Sequence, residues 1–450
     1  MTAGGPFMGP RRPVVTMVAA TLAAITAITG PALSPARAQT PAPAIVREAL
    51  PNGLVAPVRE NPTAPVVAIS LMVRMGALAE TLATAGISNF VQIMLVRGTT
   101  SRTGKQIVEE VDRLGGSIDA YGDTDYGEIT ATALSRNWKP MLELVADIAQ
   151  RSSMPEDTLG AVKNFLLLQV RNRSDRPFDA GLDRLLARLF GAHPYAWDPI
   201  GRRESLERLD RGTLFDCYRR HYRGGDLVLV VSGRVKAAEV MPEIRRLFAE
   251  IPGGWAAPFP VPDPPTAASG REEIRVEGAQ AQIFMGVVGA AFSEADHAPL
   301  RVLATALGGG FTSRFFSELR DRQGLAYTTS AQYPMRVKPG PFYAFLGTAP
   351  ANVERSEAAL RDELERVRRE PISQEELRVA RAFVLGTLAM DRRTNARQAW
   401  HLASYELAGL GYDYLDRYSA QINEVTAADI QRVARRYLEK IRTVSVQPLD

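Results

Sequence analysis

The sequence predicts an α+β protein built as two tandem copies of one unit, and three observations lead there. Strand-like and helix-like stretches are mixed without the regular alternation of a doubly wound sheet. Residues 252–270 read PGGWAAPFPVPDPPTAASG, and their six prolines exclude a packed helix or a central strand, marking a semi-rigid linker. The stretches on either side look alike. Trp138-Lys139-Pro140 opens a helix, and Met154-Pro155-Glu156-Asp157 starts a second that continues through Phe165 and Leu168; Val353 opens a helix, and Pro371 to Glu376 start a second that continues through Phe383 and Leu385. Later, 204–231 and 418–446 share a helix, a Tyr-bearing helix end and an apolar strand. The expected units are residues 39–251 and 271–450, joined by 252–270.

Taken in order, residues 1–38 read as a secretory signal. Arg11-Arg12 precede a mainly apolar run from Val14 to Leu33, and Ala36-Arg37-Ala38 supplies a small-residue cleavage site after Ala38. The Pro13-Val14-Val15 that follows the arginine pair is a poor match to twin-arginine export. Thr40 to Ala44 is a Pro/Ala tether. Ile45 to Val58 reads as a hairpin turned at Pro51-Asn52-Gly53. Val66 to Met75 is strand-like, Ile87 to Val96 helical, and Gly104 to Leu114 an amphipathic helix closed by Gly115-Gly116. Strands follow at Ser117 to Tyr121 and Glu128 to Leu134, then helices at Lys139 to Gln150 and Pro155 to Arg173. In the second copy, Thr312 or Ser313 caps a helix carrying Phe315, Phe316 and Leu319 on one face. Gly324 ends it, and Leu325 to Tyr333 form a strand.

The chain has 450 residues, 46% hydrophobic and 23% charged, which suits two or more sizeable cores and excludes a disordered or fibrous protein. The signal carries Arg11, Arg12 and Arg37 and no acid, so the formal charge of +4 falls to +1 once it is removed. A near-neutral mature chain does not point to nucleic acid. Cys217 is the single cysteine and forms no internal disulfide. Export without disulfides suggests the periplasm, with no stable membrane insertion.

The stretch from Gly86 to Thr99 has the frame of a zinc-peptidase helix. In an inverted zincin, H-x-x-E-H places two histidines on adjacent turns of one helix face, with the intervening Glu activating water. Here those positions read Asn89, Gln92 and Ile93. A carboxamide binds Zn2+ poorly, isoleucine not at all, and Gln92 cannot accept a proton near neutral pH. Either this helix is ordinary core, or the chain is a peptidase relative that has lost its metal. The four histidines, His193, His221, His297 and His401, offer no helically spaced ligand pair. Asp119, Asp123, Asp125 and Glu128 cluster around a turn that reads as a solvated loop. No G-x-S-x-G nucleophile elbow occurs.

Across residues 45–450 the chain resembles the insulinase/pitrilysin family of metallopeptidases, particularly its short two-domain members. Asn52-Gly53-Leu54 resembles the entry turn, Gly86 to Thr99 the G-x-x-H-x-x-E-H-M-x-x-x-G-T helix, Leu114 to Ala120 the G-G-x-x-N-A strand, and His193-Pro194-Tyr195 the H-P-x segment. Gly308-Gly309-Gly310-Phe311-Thr312-Ser313-Arg314-Phe315-Phe316, with Leu319 to Tyr327 after it, is the most specific match. The resemblance implies a processing-peptidase-like fold in which each domain is a mixed, mostly antiparallel sheet packed with helices. It also places the third zinc ligand at Val170, so that both histidines, the base and the last ligand are all replaced.

What the resemblance retains is in the second half. It implies that Arg320 and Tyr327 form a pair facing the zinc across a closed chamber, lined by Gly308, Gly309, Gly310, Phe311 and Ser313 near the substrate. A guanidinium there donates to peptide carbonyls and a phenol to the oxygen that gains charge. On the residues alone, Arg320 can equally serve a helix C-terminus and Tyr327 a half-buried strand. The implied function is a subunit with no metal of its own, inactive alone, that pairs with a zinc-bearing H-x-x-E-H chain to enclose short unfolded peptides. A structural or peptide-binding protein with no part in proteolysis is the alternative; a self-sufficient hydrolase has no visible site.

Overall fold

The structure is a computed structural model that describes residues 45–257, 261–265 and 269–449. The expected signal at 1–38 and the tether at 40–44 lie outside the described residues. In the first half, β1 (Ile45–Ala49), β2 (Val55–Glu60) and β3 (Val66–Val73) lead into α1 (Ile87–Leu95) and α2 (Gly104–Arg113). Then come β4 (Ser117–Gly122), β5 (Gly127–Leu134), α3 (Trp138–Arg151), α4 (Glu156–Ser174), α5 (Pro177–Phe190), α6 (Arg203–Leu206), α7 (Arg211–His221), β6 (Leu227–Gly233) and α8 (Ala237–Phe248). The second half runs β7 (Gly270–Val276), β8 (Ala281–Val288), α9 (His297–Gly308), a π-helical segment at Phe315–Arg322, β9 (Thr328–Gln332) and β10 (Pro341–Thr348). It closes with α10 (Val353–Arg369), α11 (Gln374–Asp391), α12 (Asn395–Leu407), α13 (Tyr414–Glu424), α14 (Ala427–Tyr437) and β11 (Arg442–Pro448).

The two sheets have the same topology. Their strand orders are β1-β2-β6-β3-β5-β4 and β7-β11-β8-β10-β9. Aligned from β2 and β7 onward, every position corresponds, including a single parallel pair in each, β2 with β6 and β7 with β11. The other pairings are antiparallel. This is the tandem α+β arrangement that the sequence predicts. Among the described residues the second sheet has no counterpart of β1, so β7 stands at its edge. Pro262, Pro264 and Pro265 before β7 have no N–H to offer a ladder, and β7 itself carries Arg271, Glu272, Glu273 and Arg275, charges that discourage stray pairing.

Each sheet packs its inner face on helices of its own half. The first core joins β2, β3 and β5 to α1, α3, α7 and α8 through residues such as Ile69, Leu71, Phe90, Met94, Ile148 and Ile244. The second joins β8 and β10 to α9, α10, α11 and α14 through Ile283, Leu303, Leu346, Leu360 and Val433. The outer faces are covered reciprocally. Helix α5, from the first half, lays Leu185, Leu189 and Phe190 on Phe284, Phe345, Val444 and Val446 of the second sheet. Helix α12, from the second half, lays Ala399, Leu402, Ala403 and Leu407 on Ala68, Met72, Val228 and Val230 of the first. The approach of α5 is close enough that a Cβ on Gly181 would sit 2.3 Å from the Phe284 ring. Polar contacts accompany the exchange: Arg47 donates to both Glu406 oxygens at 2.7 and 3.1 Å, and Asn395 Nδ2 donates to Val66 O at 3.0 Å.

Two local expectations fail around the glycine-rich stretch. The helix after it is π-helical and has no side-chain cap; Ser313 Oγ instead donates to Gly310 O at 2.6 Å, tightening the turn before the helix. The strand expected at 325–333 is confined to Thr328–Gln332, because Leu325 N turns back to Leu319 O at 2.9 Å. Phe315 and Leu319 are buried as expected, whereas Phe316 is only half-buried.

Candidate functional site

Helix α1 is set in place by a buried carboxylate. Glu80 accepts from Gly86 N at 2.8 Å, Ser88 N at 2.9 Å and Trp197 Nε1 at 3.2 Å, satisfying backbone donors that the first turn cannot use internally. Burial raises its pKa to about 7 against the lowering effect of those hydrogen bonds. The register so fixed sends Asn89 and Gln92 towards β4 and β5. Asn89 Oδ1 accepts from Gly122 N at 3.0 Å, and Gln92 Oε1 accepts from Tyr222 OH at 3.0 Å. Gln92 is fully buried, and its Nε2 has no partner among the described residues. Ile93 and Val170 are half-buried and pack on the core.

These four positions do not fit zinc. The Asn89 oxygen is committed to a strand N–H and the Gln92 oxygen to a phenol, and neither hydrocarbon side chain offers a lone pair. Among the described residues no group of three or more His, Cys, Asp or Glu could hold a metal ion. Introducing one ligand should not restore a site: Ile93→His is expected to leave the purified chain with far less than one zinc per molecule by atomic emission, and a stoichiometric ion in that variant would contradict the reading.

A cavity of about 600 Å3 runs beside the helix, bordered by Asn89, Ile93, residues 119–124 of β4 and its turn, Phe165, Gln169 and Arg336. Val170 is absent from its wall; the neighbouring Gln169 takes that place. With Phe165, Gln169 forms an i, i+4 pair on one face of α4, and that spacing was the available signal. Arg336 reaches the cavity from the loop before β10, and nothing local in the sequence marks it. Its guanidinium lies beside Asp125 and Asp123, whose charge raises its pKa against the lowering effect of burial. The acidic turn is a joint rather than a solvated loop. Asp125 accepts from Tyr195 OH at 2.5 Å and from Val337 N at 3.2 Å across the two halves, while Glu128 is buried on Ser70 Oγ at 2.5 Å and on the Tyr121 hydroxyl. His193 is buried, its Nδ1 accepting from Tyr195 N at 3.0 Å, and burial lowers its pKa to about 4.

Arg320 and Tyr327 are displayed on the outside of the second half, and neither borders this cavity. The Arg320 guanidinium stacks 4.7 Å over the Phe316 ring, which meets Phe311 edge-on at 5.1 Å. Tyr327 is held by its backbone, N to Gly347 O at 2.9 Å, and the residue is 54% exposed. No hydrogen bond joins the two side chains. In the glycine-rich stretch Phe311 is 80% exposed. Gly308 is explained by packing: a Cβ there would lie 2.0 Å from Ala331 N. Gly308→Ala is therefore expected to destabilise the chain by about 3 kcal/mol, seen as a lowered denaturation midpoint with an unchanged slope. Gly310 lies against the Phe383 ring, and Ser313 is buried in the turn.

The fold agrees with that of known proteins. Residues 55–198 match the family model described as insulinase (peptidase family M16), and residues 208–383 match the model described as peptidase M16 inactive domain. An uncharacterized zinc protease of Rickettsia bellii is 27% identical over 406 residues, 88% of this chain and 96% of that protein. The uncharacterized zinc protease YmxG of Bacillus subtilis is 26% identical over 391 residues, covering 86% and 94%. Among solved structures, a peptidase M16 inactive domain from Pseudomonas fluorescens superposes with a TM-score of 0.83 at 21% identity, covering 90% of this chain and 98% of that one. A protease from Helicobacter pylori gives 0.83 at 20%, covering 90% and 100%.

Proposed function

The chain belongs to the insulinase (peptidase M16) family and lacks that family's catalytic motif, and from that premise we propose that it is the zinc-less subunit of a two-chain periplasmic endopeptidase. Its partner is a family chain with an intact H-x-x-E-H helix, which supplies the zinc chemistry. This chain supplies one wall of the chamber and, from Arg320 and Tyr327, donors to the bound peptide. The observation that carries the reading is the contrast between the halves: the positions of the metal site are filled by neutral, committed or apolar side chains, while Arg320, Tyr327 and Phe311 stand exposed with free donor or aromatic surface.

The substrate is a short unfolded peptide. Strand β4 is an edge strand of the first sheet, and its residues Asp119 to Gly122 border the 600 Å3 cavity. An extended segment adding to that edge is recognised by its backbone, so length and extension matter more than sequence. Residues 1–38 deliver the chain to the periplasm, and among the described residues no helix is long and apolar enough to cross a membrane. The direct test mixes this chain with a separately purified H-x-x-E-H partner and follows cleavage of an unstructured fluorogenic peptide. The reading expects the mixture to exceed the sum of the separate chains by about 100-fold or more. A structural protein with no part in proteolysis would leave the partner's rate unchanged.

A further inference from the structure

A second cavity, about 720 Å3, opens between the two halves and meets the one beside β4 only at Asp123 and Arg336, which border both. Its volume suits a small molecule, and Leu78, Val384, Leu388, Trp400 and Leu407 give it apolar walls. Most of its charges are matched locally. Arg74 lies 3.7 Å from Asp226, Arg397 lies 2.7 Å from Asp391, and Arg336 sits beside Asp123 and Asp125. His401 is hydrogen-bonded to Asp391 at 2.8 Å and to Tyr405 OH at 3.1 Å. Burial holds His401 and His221 at pKa values of about 4, so both are neutral at pH 7.

Two cations are not matched. Arg301 on α9 is half-buried and donates from Nη1 to Tyr333 O at 3.2 Å, and it has no carboxylate partner among the described residues. Lys338, exposed at the rim, likewise has no ion pair. A half-buried guanidinium beside apolar walls is costly without a counter-charge, so the cavity favours an anion. A further polar atom is left over here: His221 borders the cavity, is only 6% exposed, and its Nδ1 is buried without a partner.

We propose that this cavity is a second binding site, distinct from the peptide-binding edge, for a small amphipathic monocarboxylate. Its carboxylate rests on Arg301 and its apolar body lies against Val384, Leu388 and Trp400. Two sources share that chemistry: a medium-chain fatty acid, and the free C-terminus of a short apolar peptide.

Isothermal titration of the full mature chain distinguishes them with three probes: dodecanoate, N-acetyl-Leu-Leu with a free carboxylate, and dodecyltrimethylammonium. At least one carboxylate should saturate one site per chain while the ammonium does not, and the tighter of the two identifies the source. Arg301→Gln should weaken that binding by about tenfold or more, Leu388→Trp, which fills the cavity, should do the same, and Arg301→Lys, which keeps the charge, should stay within about threefold of wild type. A thermal melt of each variant separates loss of the site from loss of the fold. The proposal is overturned by any of three results: no saturable carboxylate binding up to about 1 mM, equal binding of the ammonium, or an Arg301→Gln variant that folds and binds as wild type.

Discussion

In the mixed two-chain enzyme, Arg320→Ala is expected to lower kcat/KM for an unstructured peptide by about 100-fold, the usual cost of removing one positioned donor from an acyl-transfer site. Tyr327→Phe, which deletes only a hydroxyl, is expected to lower kcat by a similar factor with little change in KM, because a phenol that meets the developing oxyanion contributes in the transition state and not to ground-state binding. Neither substitution should disturb folding. Arg320 is exposed and leans on Phe316, and Tyr327 is more than half exposed. A melting temperature unchanged within about 2 °C, beside the kinetic loss, separates a role in the chamber from a structural one. Equal peptidase rates for wild type and both variants would remove the second half from the chemistry.

The largest stability effect is expected at Glu80. Glu80→Ala strips the acceptor from Gly86 N, Ser88 N and Trp197 Nε1 in a site with almost no access to water. Each unsatisfied donor costs about 1–3 kcal/mol, so a loss of about 4 kcal/mol is the expected result in denaturant titration. Glu80→Gln keeps one acceptor oxygen but turns an amide NH2 towards the remaining donors, and should cost roughly half as much. The wild-type residue also makes stability depend on pH. Its pKa is raised to about 7 in the folded chain against about 4.3 in an unfolded one. The folded state therefore binds this proton more tightly, and its contribution is fully present below pH ~4.3 and lost as pH rises through about 7. Comparing stability at pH 5 and pH 8 should show that component in wild type and not in Glu80→Gln; identical pH dependence in the two would refute the assignment.

Much of the fold was legible because its signals are local. The Pro51-Asn52-Gly53 turn sets the β1–β2 hairpin, the apolar spacing from Gly104 to Leu114 and the Gly115-Gly116 stop mark α2, and the repeated helix-start pattern revealed the second copy. The exchange of α5 and α12 was not legible. Their apolar positions show that each helix has a face to bury, but not which sheet receives it, and that depends on how two halves distant in sequence meet. Glu80 was not legible because a lone Glu outside any motif gives no sign of burial, nor was Arg336, because its place beside the cavity is set by contacts across the halves. Within the site, the losses at Asn89, Gln92 and Ile93 could be read directly, since a metal site depends on residue type. The exposure of Arg320 and Tyr327 could not be read, because it depends on a π-helical segment that carries no capping signal.

A chain that holds no catalytic metal yet is needed by a chain that does has a distinct signature when zinc content and peptide hydrolysis are measured together, for this chain alone, for its H-x-x-E-H partner alone and for the mixture. Far less than one zinc per molecule and no hydrolysis are expected for this chain, about one zinc in the partner, and hydrolysis well above either alone in the mixture. One zinc per molecule with hydrolysis by this chain alone, or a partner equally active without it, would overturn the proposed division of labour.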